Sequence, residues 1–394
     1  MKKFLHLVLL LSAASLSQSA EPSVSPPIAV EHSSSEKLSK EELAGFRARL
    51  LATTTRHLDL LLKPDGKVAD LRGKSGDGMT ALAFQLVYEM TGNEKYRSAA
   101  LELANRVVTA MRATKHGVLF IKEKEKGSGE TIDGGGPPAF GWYVSAAAYI
   151  LRKEKGRQDD LRYLATVADN FAWNDGGWWA NSVDINTGEP KEPITKEGAV
   201  NKNAGMALAA GILSVCVQEF DPALAARLSA KVDKCVDGQI IPKQEPDGFW
   251  HYGLKGNDPN NKDVLGYFMV TVDALTKLKH FAPSARQSAR DQALEKAYTF
   301  AAEQIAPMTD PNHGTGSVHL TRSTPKHYEL FEDPKRGFAL GLILIAGGHQ
   351  REAMKIVDHW MKNFPLGDTK QDGAKAVDAF AHMLLLLPQE PGKL

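Results

Sequence analysis

The sequence predicts an all-α fold of about twelve helices that pair into about six hairpins. Apolar helices rich in alanine and glycine alternate along the chain with amphipathic helices. A long polar loop precedes each apolar helix, and a short turn leads from it into the amphipathic helix that follows. This pattern recurs about every 60 residues, which is typical of a repeat-built domain. We therefore expect buried inner helices to alternate with amphipathic outer ones.

The clearest apolar helix lies in residues 198–215, which read GAVNKNAGMALAAGILSV. Asn201 and Asn203 are residue types that cap helix starts. A helix that is apolar on every side is normally buried on every side. Its alanines and glycines allow neighbouring backbones to approach closely. We therefore place this helix inside the fold.

The other elements follow in order. Ser39 and Glu42 form a capping-box pattern that predicts a helix start, and this helix runs to about residue 62. Further inner helices are predicted at residues 76–90, 140–151, 263–278, 337–346 and 373–387, each of the first four followed by an amphipathic helix. A small β-hairpin is predicted from residues 178–184 and 189–194.

The N-terminal segment has the pattern of an export signal. Lys2 and Lys3 precede an apolar run over residues 4–11 and small residues up to Ala20. We interpret residues 1–20 as a signal peptide, 21–37 as a disordered leader and 38–394 as one helical domain. The apolar run is too short to span a bilayer stably. We expect a periplasmic or extracellular protein with no membrane insertion after cleavage.

Charge and motifs exclude several function classes. The formal net charge is +1, and it becomes −1 when Lys2 and Lys3 are removed with the signal peptide. This balance does not favour nucleic acid as a partner. The sequence has no phosphate-binding loop, dinucleotide fingerprint or serine-nucleophile elbow. We expect no metal and no cofactor.

The two cysteines are predicted to stay unpaired. Cys216 and Cys235 lie on consecutive helices, at unequal distances from the turn near Asp221. At about 1.5 Å rise per residue they should be roughly 14 Å apart along the helix axis. A disulfide needs Cα atoms within about 7 Å. We expect two free, buried thiols even though the chain is exported.

The alternation of helices and loops resembles the six-hairpin α/α toroid, the scaffold of many secreted glycoside hydrolases and polysaccharide lyases. The resemblance covers nearly the whole mature chain and is architectural. It implies that the long loops gather where the inner helices begin, and that they line a substrate cleft there. Binding and catalysis commonly use such loops. The partner expected from the resemblance is a polysaccharide or oligosaccharide.

Aromatic residues in these loops suit a sugar substrate. Trp142, Trp178, Trp179 and Trp250 lie in or beside the expected cleft face. Flat aromatic rings can stack on pyranose rings, although tryptophan also anchors long loops to a protein core. The fifth long loop adds Tyr328, with Arg336 just beyond it, and these residues suit an acidic substrate.

One chemical hypothesis is a lyase that cleaves uronate chains by β-elimination. The chain resembles the toroid lyases of alginate, some of which use an Asn-His pair opening an inner helix and a tyrosine further on. Here Asn201 opens such a helix, and His251 and Tyr252 follow in the next loop. Lys202 stands where the adjacent histidine would be, so Lys202 or His251 takes its role. Helix capping by Asn201 and loop packing by His251 are the alternatives.

A second hypothesis is an inverting hydrolase, which needs two carboxylates about 6.5–9.5 Å apart. Asp133, beside a glycine-rich turn, is the preferred candidate. Four more aspartates fall near inner-helix starts, where helix capping also explains them: Asp77, Asp263, Asp333 and Asp372. We expect a secreted polysaccharide-degrading enzyme and favour the lyase over the hydrolase. A glycan-binding toroid without catalysis is the third possibility.

Overall fold

Twelve α-helices and one β-hairpin form the described part of the chain. The structure is a computed structural model. It describes residues 38–71, 74–117, 140–184, 187–191, 194, 198–251, 265–284, 286–306, 317–321, 324–329, 334–362, 364–369 and 371–388.

Inner and outer helices alternate in sequence. The outer helices are α1 Lys40–Leu61, α3 Glu94–Arg112, α5 Gln158–Asn170, α7 Pro222–Cys235, α9 Gln287–Phe300 and α11 Gln350–Met361. The inner helices are α2 Lys74–Thr91, α4 Ser145–Leu151, α6 Val200–Val217, α8 Leu265–Phe281, α10 Pro334–Ala346 and α12 Gln371–Leu386. A π-helical turn, Phe140–Val144, leads directly into α4.

The six inner helices form a closed ring. Each inner helix packs against the next one in sequence, and α12 packs back against α2. Helix α1 packs on α12 and α2, so the first helix completes the outer layer at the closure. The predicted six-hairpin α/α toroid is therefore confirmed. Because the chain reverses at every helix, all inner helices begin on one side of the ring, which we call the loop face.

Small residues let the inner helices approach closely. A Cβ atom added to Gly141 would lie 2.8 Å from the carbonyl oxygen of Gly205 in α6, so the two backbones touch. Helix α6 is also the one helix in the described ranges that is long and apolar enough to span a bilayer, and 83% of it is buried inside the protein. Burial within the ring accounts for its apolar composition.

The outer helices α1 and α7 begin with side-chain caps. The Ser39 hydroxyl accepts a hydrogen bond from the Glu42 backbone N–H at 3.1 Å. The Glu42 carboxylate accepts one from the Ser39 backbone N–H at 2.8 Å. The predicted capping box is thus confirmed. Asp221 caps α7 in a similar way, accepting from the backbone N–H of Leu224 at 3.1 Å.

The long connections that follow α1, α5 and α7 each contain the same tight hairpin. These three hairpins are not among the elements predicted from the sequence. The hairpins span residues 62–68, 173–179 and 244–250, and the two end residues of each form an isolated antiparallel bridge. The fifth residue of each is a glycine with positive φ, namely Gly66, Gly177 and Gly248. The last residue of each hairpin is buried: Val68, Trp179 and Trp250.

The β-structure differs from the prediction. Between the two predicted strands, the described residues form one isolated bridge, from Val183 to Pro190. The two strands that do form are β1 Ser317–Thr321 and β2 Thr324–Glu329, which pair antiparallel in the fifth long connection. Backbone hydrogen bonds flank this bridge: the Asp184 N–H donates to the Glu189 carbonyl at 2.8 Å and the Lys191 N–H to the Ser182 carbonyl at 3.1 Å.

Both cysteines are free and buried, as predicted. Cys216 donates to the Ala148 carbonyl at 3.6 Å, and Cys235 lies 3.9 Å from the Asn203 side-chain oxygen. Burial raises the pKa of the Cys216 thiol to about 12 and also raises that of Cys235. Since the thiolate is the reactive form, both residues should be inert to alkylating reagents in the folded protein.

A buried ion cluster connects two inner helices. The Lys277 ammonium group on α8 donates to the Asp378 carboxylate on α12 at 2.6 Å and to Asp273 at 2.9 Å. Burial disfavours the charged ammonium, but the two carboxylates outweigh it and hold the pKa of Lys277 above its ordinary value. His382 contacts the Asp378 carbonyl through Nδ1 at 2.8 Å. The cluster lies inside the ring, where Lys277 and Asp378 line a cavity of about 20 Å³.

Two buried histidines should make stability depend on pH. Burial lowers the pKa of His57 to about 4 and that of His382 to about 3, from an ordinary value of 6.5. Below about pH 6.5 the unfolded chain therefore binds protons that the folded protein excludes. We expect each histidine to lower the free energy of unfolding by about 2 kcal/mol between pH 7.5 and pH 5.

Urea denaturation at several pH values measures this loss. His57→Asn keeps a hydrogen-bond acceptor for the Gly367 N–H, which now donates to His57 Nδ1 at 3.1 Å. This variant should lose about half of the decrease between pH 7.5 and pH 5. Parallel stability curves for the variant and the wild type would show that His57 is not responsible.

Candidate active site

The first turns of the inner helices lie on the loop face. Asp77 lies in the first turn of α2, partly buried, with its Oδ1 atom shielded from solvent. Tyr143 lies in the π-helical turn before α4 and is buried. Tyr267 lies in the first turn of α8 and is 41% exposed. These side chains come from three separate hairpins of the toroid.

Asn201 does not cap its helix. Helix α6 begins at Val200, and its N-cap residue, Ala199, makes no side-chain capping bond. The Asn201 side-chain oxygen instead accepts from the backbone N–H of Lys202 at 2.8 Å. The alternative that Asn201 caps the helix is therefore contradicted, because the N-cap position lies two residues earlier. Asn201 is 8% exposed, and Lys202 is partly buried beside it.

Asn203 has a structural task rather than a capping one. Its side-chain amide donates to the Ala199 carbonyl at 3.1 Å and accepts from the backbone N–H of Trp179 at 2.8 Å. Asn203 is fully buried. The bond from Trp179 joins the connection between α5 and α6 to the first turn of α6.

Three of the predicted sugar-binding tryptophans are buried. Trp178 and Trp179 have no exposed surface, and Trp250 is 1% exposed. The Trp250 indole N–H donates to the Ile240 carbonyl at 2.9 Å, and the Trp179 ring contacts Trp173 edge-on at 4.6 Å. Stacking of these three rings on a sugar is therefore contradicted. They anchor the long connections. Trp179 and Trp250 each end a tight hairpin, and the buried Val68 occupies the equivalent place at the end of the first hairpin.

His251 lies just after the third hairpin. Its Nε2 atom is 3.1 Å from the Glu245 carboxylate, and both side chains are about one-third exposed. Its ring meets the edge of Phe249, with centroids 5.4 Å apart. Glu245 thus fixes the orientation of His251. Tyr252, its predicted catalytic neighbour, lies outside the described residues.

Several predicted site residues remain predictions. Asp133 lies outside the described residues, as do Asp263 and Asp333. Four other predicted site residues have a described backbone but no described side chain. Trp142 lies in the π-helical turn and Tyr328 lies on β2. Arg336 lies in the first turn of α10 and Asp372 lies in α12. In the part of the chain that the structure describes, no three histidine, cysteine or acidic side chains could share a metal ion.

Tyr267 is a loop-face residue absent from the predicted site. It is one of three large hydrophobic residues that are exposed among those described, with Leu60 and Val215. Its neighbour Phe268 is fully buried and stacks on Phe249, with centroids 5.0 Å apart. The sequence offered one signal for this site residue, namely an aromatic residue two positions after the start of an inner helix.

Comparison with known proteins finds similarity in fold but not in sequence. No known protein-family model matches it, and no characterised protein matches it in sequence. The Paenibacillus sp. X4 β-1,3-1,4-glucanase is similar in structure, with a TM-score of 0.58 and 11% identity over 90% of this chain and 95% of that one.

Two further solved structures are similar to the same extent. Cellobiose 2-epimerase from Bacillus thermoamylovorans B4167 gives a TM-score of 0.57 and 11% identity, covering 82% of this chain and 87% of that one. An unsaturated glucuronyl hydrolase specific for heparin gives 0.55 and 10%, covering 88% and 97%. The chain thus shares the six-hairpin α/α toroid of these carbohydrate-active enzymes.

Proposed function

We propose that this protein is an exported enzyme that hydrolyses glycosidic bonds at the loop face of the toroid. The observation that carries the proposal is the Asp77 carboxyl group, partly buried in the first turn of α2 on that face. The positive end of the helix dipole stabilises a carboxylate at this position. Exposed Tyr267 offers a ring for sugar stacking on the same face. Two of the similar folds belong to a glucanase and an unsaturated glucuronyl hydrolase.

Hydrolysis assigns distinct roles to two carboxyl groups. One protonates the oxygen of the leaving sugar, and the other activates water on the opposite side of the ring. Asp77 is the described candidate for one role. Asp133 remains the predicted candidate for the second. In an inverting enzyme the two carboxyl groups would be about 6.5–9.5 Å apart.

The described contacts do not favour β-elimination over hydrolysis. The Asn201 amide oxygen is occupied by the Lys202 backbone N–H, and His251 is paired with Glu245. No hydrogen bond joins Asn201 to His251 among the described residues. β-Elimination is therefore retained as one outcome of the assay below.

The reaction class can be read from two signals measured together. The substrates are polygalacturonate, oligouronides with an unsaturated end, and a neutral β-glucan. β-Elimination creates a double bond conjugated to the carboxylate, so ultraviolet absorbance rises. Hydrolysis of a saturated linkage creates reducing ends without an absorbance change, and release of an unsaturated uronate leads to loss of absorbance. We expect new reducing ends and no rise in absorbance.

Asp77→Asn should lower kcat/KM by about 10²–10⁴, because an amide cannot exchange the proton that catalysis requires. The control is Asp70→Asn, an exposed aspartate just before α2. It should leave kcat/KM unchanged, and circular dichroism should show both variants folded. Full activity of Asp77→Asn would remove Asp77 from the mechanism.

The same assay decides between the alternatives. A rise in absorbance would establish a lyase, and Tyr252→Phe should then cost about 10²–10⁴ in rate. If no substrate is cleaved but a glycan still binds, the protein is a glycan-binding toroid.

A further inference from the structure

A groove of about 560 Å³ lies on the loop face, outside the ring of inner helices. Its walls are the last residue of α3 with residues 114–117 that follow it, the C-terminal half of α5, and the residues Val183, Thr187 and Gly188. Outer helices end on the side where inner helices begin. The groove therefore opens on the same face as Asp77 but is built by different elements.

The charged groups lining the groove are basic. Arg112 and Lys115 line it, and none of the lining residues that the structure describes is acidic. The Arg112 guanidinium group lies 4.4 Å above the Tyr163 ring and donates to Asp160 at 2.9 Å. This bond uses one of the five N–H donors of arginine. Lys115 is exposed and forms no ion pair with any described residue.

Close packing sets the shape of the groove walls. Gly117 has a φ of +67°, and a Cβ atom there would lie 2.6 Å from the Val167 side chain. A Cβ atom on Gly188 would lie 3.1 Å from the His116 ring. The close approach at Gly117 holds its turn against α5. A preformed wall reduces the entropy cost of binding a ligand.

We propose that this groove binds an anionic sugar residue, as a glycan subsite separate from the reacting bond. Arg112 and Lys115 match a carboxylate or a sulfate ester on the sugar. Asn170 and Thr166 line the same groove and can hydrogen-bond to sugar hydroxyl groups. The identity of the ligand as a glycan rests on the function proposed above.

Charge reversal at Lys115 tests the electrostatic part of the proposal. Isothermal titration with tetragalacturonate should show binding about tenfold weaker or more for Lys115→Glu, because a charge-assisted contact is replaced by repulsion. Lys63→Glu is the matched control, since Lys63 is also exposed on a loop-face hairpin without an ion pair to any described residue. It should bind like the wild type. Equal affinities of the Lys115 and Lys63 variants would overturn the proposal.

Blocking the groove tests the location independently of charge. Thr166 is exposed in the groove, and both native cysteines are buried, so Thr166→Cys can be labelled selectively with a bulky maleimide. The labelled variant should lose tetragalacturonate binding at the groove, whereas labelled Lys63→Cys should keep it. Unchanged binding after labelling at position 166 would overturn the assignment.

The ligand panel separates the sources of the negative charge. Tetragalacturonate and a sulfated disaccharide should each bind better than cellotetraose, which is neutral. Inorganic sulfate that binds as tightly as tetragalacturonate would overturn the sugar part of the proposal. If nothing is hydrolysed but the groove variants behave as expected, the proposed enzyme fails and the subsite stands. If hydrolysis occurs and the variants bind normally, the subsite alone fails.

Discussion

Replacing Lys277 with methionine is expected to lower the free energy of unfolding by about 3–5 kcal/mol. Methionine has nearly the same volume, so the packing between α8 and α12 changes little. The loss is electrostatic, because Asp378 would keep a buried carboxylate, and Asp273 a partly buried one, without a cation. The side chains of Lys277 and Asp378 are only 7% and 10% exposed, so bulk solvent does not screen the charge left on Asp378.

Urea denaturation measures this effect against a surface pair with similar geometry. Lys95 lies 2.7 Å from Asp59, but the two side chains are 44% and 41% exposed. Lys95→Met should therefore cost less than about 1 kcal/mol. The double variant Lys277→Met/Asp378→Leu should recover much of the loss, since the unpaired charge on Asp378 is removed as well. Equal losses for Lys277→Met and Lys95→Met would mean that burial does not govern the pair.

The sequence was sufficient to predict the helices and their arrangement. Apolar periodicity is a local property, so the apolar run of α6 and the capping box at Ser39 can be read without knowing what packs around them. Alternation of buried and amphipathic helices then leaves few ways to hide every apolar surface, and a closed ring is one of them. The small residues of α6, Gly205 among them, also indicated close helix contacts correctly.

The tryptophans show why the site was harder to predict. Composition alone placed Trp178, Trp179 and Trp250 in polar loops, where exposure is the usual expectation. The structure buries them because each belongs to a tight hairpin whose end packs into the core. A comparison of residues 62–68 with 244–250 would have given a warning, since Val68 fills the place of Trp250.

Side-chain positions on the loop face depend on contacts that apolar periodicity does not predict. His251 is oriented by Glu245, six residues away in sequence, and Asn203 is held by the third long connection. Neither contact has a sequence pattern of its own. Tyr267 was overlooked because an aromatic residue in an apolar helix is normally buried, and its exposure follows from its position in the first turn.

Gly248→Ala is expected to lower the free energy of unfolding by about 2–5 kcal/mol. Two costs add at this position. Gly248 has a φ of +98°, a conformation that strains any residue with a Cβ atom. The new Cβ atom would also overlap the carbonyl oxygen of Lys296 in α9, a backbone atom that cannot rotate away.

The repeated hairpin supplies a control that separates these two costs. Gly66 takes the same place in the first hairpin with a φ of +80°, but a Cβ atom added there would have no neighbour within 4 Å. Gly66→Ala therefore carries the backbone strain alone and should cost about 1–2 kcal/mol. Urea denaturation of both variants should show the larger loss at Gly248. Equal losses would indicate that the hairpin at residues 244–250 can move away from α9. Its contact with α9 would then not anchor the connection between α7 and α8.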